Sequence, residues 1–135
     1  MAKQDQIKQV LERTVVEVID KENLYKKLTS KKVLRVKLGI DPTSSNIHLG
    51  RAVVLWKLRE FQDLGHKVVF IIGDFTGQIG DTSDKDAERP MLAEEQIKKN
   101  LKGYLDQAFK ILDKNKTEFH YNSKWLAKLG FGEIG

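Results

Sequence analysis

The chain has 135 residues, 40% of them hydrophobic and 32% charged, with only 2 Pro, which bounds it to one domain or part of one and excludes a disordered segment. Lys and Arg number 24 against 19 Asp and Glu, a net charge of +5 that suits an anionic partner such as a nucleotide or RNA and equally suits a solvated basic surface. Cysteine is absent, which excludes disulfides and thiolate metal sites, and no apolar run approaches the roughly 18 residues of a membrane span. The opening residues carry charges throughout, so a soluble, cytoplasmic protein is expected.

The opening segment reads as a helix, because Ile7, Val10, Leu11, Thr14, Val15 and Val18 recur at three- and four-residue spacing. A second short helix is predicted from Lys21 to Leu28. Residues 1–33 are taken as an amino-terminal helical segment and 34–135 as the first half of a nucleotide-binding domain. Leu34 to Ile40 alternates in part and is bounded by Gly39 and Pro42, as a strand would be. Ile47 to Leu64 reads as a helix with Leu49, Val53, Trp56, Leu58 and Phe61 on its buried side and Gly65 as its stop. Lys67 to Ile72 is a continuous apolar run, as expected of a strand covered on both faces. A loop rich in Gly, Asp, Thr and Ser follows from Gly73 to Lys85. Helix returns from Ala93 to Leu112, with Glu94 and Glu95 at its positive end. Thr117 to Tyr121 is a third strand, and Ser123 to Leu129 a short closing helix.

This order predicts an α/β fold, a doubly wound Rossmann-like parallel sheet with flanking helices and right-handed crossovers. Ligands bind such sheets beyond the carboxyl ends of the strands, where the loops Asp41–Gly50 and Gly73–Lys85 both leave. Three strands make a thin sheet, so a truncated half-domain is expected, with a compact natural domain as the alternative.

Two constellations carry chemistry. In Gly39-Ile-Asp-Pro-Thr-Ser-Ser-Asn-Ile-His-Leu-Gly-Arg51 a strand turns into a helix whose first N–H groups form an anion site. Thr43, Ser44, Ser45 and Asn46 are cap-type residues, and His48 at the helix start can donate to a phosphate oxygen. Gly50 leaves room for a flat base. A plain capped turn would look the same. In Gly73-Asp-Phe-Thr-Gly-Gln-Ile-Gly-Asp-Thr-Ser-Asp-Lys85 the glycines suit close backbone approach, and Asp81 is placed to pair with an ammonium group. Asp74 reads as a turn- or helix-capping acid. His48, His66 and His120 are too scattered for a metal site, and His120 and Trp125 read as packing or surface residues.

Asp41-Pro42-Thr43, followed by His48-Leu49-Gly50 and by the Gly73–Asp81 loop, resembles the tyrosyl-tRNA synthetases. They are class I enzymes whose signature is His, an aliphatic residue, Gly and His. The likeness covers roughly Leu34 to Leu129. It implies ATP-dependent activation of tyrosine and transfer to tRNA(Tyr), with Mg2+ accompanying the ATP and no tightly bound cofactor. By the resemblance, His48 stabilises charge on the α-phosphate, Gly50 lies against adenine and Thr43 reaches the polyphosphate. Gly39 and Asp41 border the aminoacyl part of the adenylate. Thr76 and Asp81 hold the α-amino group, Asn122 lies near the amino acid, and Lys85 and Arg89 face the leaving pyrophosphate. Two positions depart from the pattern. Arg51 replaces the second signature His, keeping positive charge with a different geometry, and Lys37 stands where a Tyr reads the substrate hydroxyl. The family's later tyrosine contacts, its second ATP loop and its tRNA-binding domains are not found in the sequence. The resemblance implies a homodimeric parent enzyme. Three readings follow: a tyrosine–tRNA ligase half-site, a non-catalytic ATP-binding module, or an engineered scaffold.

Overall fold

The computed structural model describes residues 3–78, 92–130 and 132. Helix α1 (Lys3–Glu12) buries Ile7, Val10 and Leu11 at three- and four-residue spacing. It ends earlier than the periodicity predicts. Thr14 lies at φ 54°, a left-handed conformation that stops the helix and leaves Val15 and Val18 outside it. Helix α2 (Lys21–Thr29) starts on Asp20, whose carboxylate accepts from the Asn23 N–H, and carries Lys26 and Lys27 in its last turn. Ile7, Leu11 and Leu28 form a small core with Leu34, Phe61 and Leu64, docking both helices onto the far end of the next one.

Three parallel strands follow, β1 (Arg35–Ile40), β2 (Lys67–Ile72) and β3 (Thr117–Tyr121), in the order β1-β2-β3. Leu38 sits beside Phe70 and Phe70 beside Phe119, so one face of the sheet carries Val36, Leu38, Ile40, Val68, Phe70, Ile72, Phe119 and Tyr121. Helices α3 (Leu49–Asp63) and α4 (Glu94–Ala108) both pack on this face, through Leu55 and Leu58 and through Leu101, Tyr104 and Ala108. Two crossovers of the same hand along a sheet that grows in one direction put their helices on one side. The reversal that doubles the winding is not present among the described residues. The other face carries Arg35, Lys37 and Gly39, all exposed, beside Val69, Ile71, Glu118 and His120. The expectation that β2 is covered on both faces holds only in part. Val69 is buried, but Ile71 is half-exposed at an open trough.

The phase of α3 differs from the sequence reading. Leu55 is fully buried and Leu58 nearly so, whereas Leu49, Val53 and Trp56 are 82%, 46% and 58% exposed. The expected set of Leu49, Val53, Trp56, Leu58 and Phe61 spans two opposite stripes and leaves out Leu55, and the polar Gln62 takes a place on the buried one. Its Nε2 donates to Asp113 O, Lys116 O and Thr117 Oγ1, and its Oε1 accepts from Asp113 N–H. Gln62 thereby ties the end of α3 to the turn that feeds β3. Gly65 at φ +92° makes the left-handed stop after α3. Helix α4 begins on Glu94 and Glu95 as predicted and ends four residues earlier. Helix α5 (Ser123–Leu126) is also shorter than expected.

Candidate functional site

The carboxyl ends of the three strands bring three of the sequence-predicted residues together. Thr76, in a 3₁₀ turn after β2, donates from Oγ1 to Asp41 Oδ1 at 2.7 Å, and Asn122 at the end of β3 donates from Nδ2 to Thr76 Oγ1 at 2.9 Å. Asn122 Oδ1 accepts from the Phe75 N–H at 3.0 Å, and its own N–H donates to Ile72 O. A carboxylate from one strand end, a hydroxyl from the second and an amide from the third therefore form one chain of hydrogen bonds. Asn122 is buried while Asp41 faces solvent, so the chain runs from the interior to an exposed carboxylate.

Gly73 makes this arrangement possible. A Cβ there would overlap Asp41 Oδ1 and come within 2.5 Å of Thr76 Oγ1. The sequence reading took this glycine as room for a ligand, whereas the space is filled by the chain's own side chains. Gly39, on the open face, differs: a Cβ built there meets nothing within 4 Å. Asp74 is the expected capping acid. Its carboxylate accepts from Phe75 N–H, from Ser123 N–H at 3.0 Å and from Ser123 Oγ at 2.6 Å, fixing the start of α5.

His48 is the residue before α3, extended at φ −78° and ψ 166°, and its imidazole makes no capping bond to the helix. Its ring is exposed beside Gly50, where a Cβ would sit 3.2 Å from two ring atoms. Gly50 therefore makes room for the His48 ring, a packing reason besides the one read from sequence. The helix presents its positive end and an unengaged imidazole to solvent together. Arg51 lies one turn in, close enough that its charge opposes the burial that pushes the Tyr104 hydroxyl above its ordinary pKa. Thr43 donates its N–H to Asp41 O at 2.8 Å, tightening the turn around the fully buried Pro42. Asp81, Lys85 and Arg89 lie outside the described residues. No group of three His, Asp or Glu residues that could hold a metal occurs among the described residues.

The sequence reading found α4 as a helix and missed its part in the site. Asn100 Nδ2 donates to Pro42 O at 3.1 Å, Gln107 bonds Ser45 and Ile47, and Gly103 lies against Ser45. Positions 100, 103 and 107 share one helical face, so a polar stripe beside the apolar one was the available signal. Lys37 is exposed and lines an open trough of about 380 Å³ with Arg35, Val69, Ile71, His120 and Trp125. Arg35 pairs with Glu118 at 2.7 Å and holds that carboxyl below its ordinary range. His66 is buried, accepts at Nδ1 from Leu34 N–H, and loses basicity through burial and the nearby charge of Lys3.

Among solved structures, the chain superposes on the tyrosyl-tRNA synthetase of Archaeoglobus fulgidus, a complex with L-tyrosine, with a TM-score of 0.74. The two are 20% identical over 94% of this chain and 37% of that one, a likeness of fold. The tyrosine–tRNA ligase of Thermotoga maritima is 52% identical over 99% of this chain, and that of Dehalococcoides mccartyi strain CBDB1 is 55% identical over 97%. This chain spans a third of the length of each of those two relatives. The family profile described as tRNA synthetases class I (W and Y) matches residues 29–134. With that match over most of its length, the chain belongs to the class I tRNA synthetases of the tryptophan and tyrosine group.

Proposed function

We propose that this chain supplies the ATP half-site and part of the tyrosine half-site of an enzyme that activates tyrosine and charges tRNA(Tyr). In that reaction a tyrosine carboxylate oxygen attacks the α-phosphorus of ATP. The bond to the β-phosphate oxygen breaks, and tyrosyl-adenylate and pyrophosphate form. A ribose hydroxyl of the tRNA then attacks the acyl carbon and AMP leaves. The observation that carries the reading is the unengaged His48 imidazole at the positive end of α3, one short loop away from the Asp41–Thr76–Asn122 chain.

His48 donates to an α-phosphate oxygen as charge builds there, and the helix end adds to the field. Gly50 keeps the helix start open to the adenine, Thr43 reaches the polyphosphate, and Arg51 adds positive charge beside the nucleotide. Mg2+ enters as the counterion of ATP. Asp41, beside the open Gly39, faces the aminoacyl group, with its carboxylate oriented by Thr76 and Asn122. Thr76 and Asp81 take the α-amino group, and Lys85 and Arg89 the leaving pyrophosphate.

Tyrosine-dependent ATP–pyrophosphate exchange, with phenylalanine and tryptophan as comparisons, tests the reading. His48→Ala is expected to lower exchange about 100-fold or more, as loss of one transition-state donor does, with ATP affinity within about threefold. An equal loss of both would make His48 a ground-state ligand only. Asp81→Ala is expected to weaken tyrosine binding and to spare ATP. A second reading, an ATP-binding half-site without catalysis, is favoured by the open trough on the bare sheet face. ATP bound without any exchange would select it.

A further inference from the structure

We infer that Gln107 of α4 is a positioning residue for His48, an inference that rests on the nucleotide-site reading above. The loop from Asp41 to His48 has no regular secondary structure, yet its backbone is held at fixed points from behind by one helix face. Gln107 Oε1 accepts from Ile47 N–H at 3.1 Å, while Nε2 donates to Ser45 O at 2.6 Å and to Gly103 O of its own helix at 2.9 Å. A single carboxamide thus bonds the backbone on both sides of Asn46, as a neighbouring strand would. The bond to Oε1 comes from Ile47, the residue just before His48.

Only a carboxamide meets this need. The site asks for one acceptor and two donors, which is the inventory of a Gln side chain with one acceptor lone pair to spare. Gly103 lets α4 come close enough, since a Cβ there would stand 2.9 Å from Ser45 Cβ. Asn100 holds the front of the same loop at Pro42 O and is itself held by Gln96 Nε2 at 2.8 Å. His48 makes no capping bond of its own, so the direction of its ring follows from the backbone that Gln107 fixes. A misplacement of about 1 Å at a reacting centre can cost about 10²-fold in rate.

The test uses this chain with Gln107→Met, which keeps the length and removes every bond, and Gln107→Glu, which keeps acceptors alone. Amide hydrogen exchange and the His48 ring resonances are read by NMR with and without ATP. The expected result is shifted His48 ring signals in both variants, with exchange at Ile47 at least tenfold faster in Gln107→Met, which removes its acceptor, and less raised in Gln107→Glu, which keeps it. Phe70 and Ile72 amides in the central strand should keep their rates, and the ATP-induced change at His48 should shrink. Unchanged Ile47 and His48 signals would overturn the inference. So would a uniform rise of exchange through β2, because Gln107 would then be supporting the fold at large. If ATP leaves His48 unmoved in the unsubstituted chain, the nucleotide reading fails, and the response of Ile47 and His48 in the apo chain still decides whether Gln107 positions them.

Discussion

At the scale of single residues, two positions show how little space the site leaves. Gly73 carries the hydrogen atom that stands where a methyl group would strike Asp41 Oδ1 and crowd Thr76 Oγ1. Gly73→Ala is expected to break the Thr76–Asp41 bond and to destabilise the chain by about 1–3 kcal/mol, the usual range for an overpacked interior. Urea unfolding measures it, and an unchanged midpoint would show that the turn gives way freely. His66 is the other case. In the fold its Nδ1 faces the Leu34 N–H, so it must stay neutral to accept that bond, and burial lowers its pKa from 6.5. The unfolded chain takes up the proton first as pH falls. Stability from this residue is therefore full above about pH 6.5 and drains away below it, until the folded form also protonates. Stability measured from pH 7 to pH 5 should fall less steeply in His66→Gln than in the unsubstituted chain. Equal slopes would mean that His66 titrates alike in both states.

At the scale of elements, α3 supplies a test of phase. Leu55→Ala should cost about 2–5 kcal/mol, the range for a large-to-small core change, whereas Trp56→Gln should move stability by no more than about 0.5 kcal/mol. Thermal unfolding of the two variants measures both, and the reverse ranking would restore the buried stripe read from sequence. Gln62→Leu is expected to cost about 1–3 kcal/mol by leaving Asp113 N–H without its Gln62 partner and taking a donor from Asp113 O, Lys116 O and Thr117 Oγ1. The loss should appear first as faster amide exchange in β3. The three strands were legible to within a residue, because each is a short segment between turn signals, β2 a continuous apolar run and β1 a partial alternation. The helix ends were less so. Periodicity carries on through Val15 and Val18, and only the left-handed Thr14 backbone, which no side-chain pattern announces, ends α1. Asp41, Thr76 and Asn122 could be named from local motifs, but their joining depends on strand order and register. Gln107, half-buried, and Gln62, buried, escaped notice because such a glutamine looks like any surface polar residue until its backbone partners are in place.

At the scale of the molecule, the sheet has one face covered by α3 and α4 and, among the described residues, one face partly open, and the two indoles report the outside. Trp56 lies on the solvent side of α3 and Trp125 at the rim of the trough. Acrylamide should quench both in dilute solution. Protection of one indole that grows with protein concentration would instead reveal copies associating through a bare surface. The strand order has a consequence in time. Because β1, β2 and β3 lie side by side in the order in which they are synthesised, β2 and β3 each meet a partner made before them. The β1–α3–β2 unit can close as soon as Ile72 emerges, and β3 then needs only the edge of β2. Among the described strands, β2 and β3 can therefore each dock on the strand synthesised just before it.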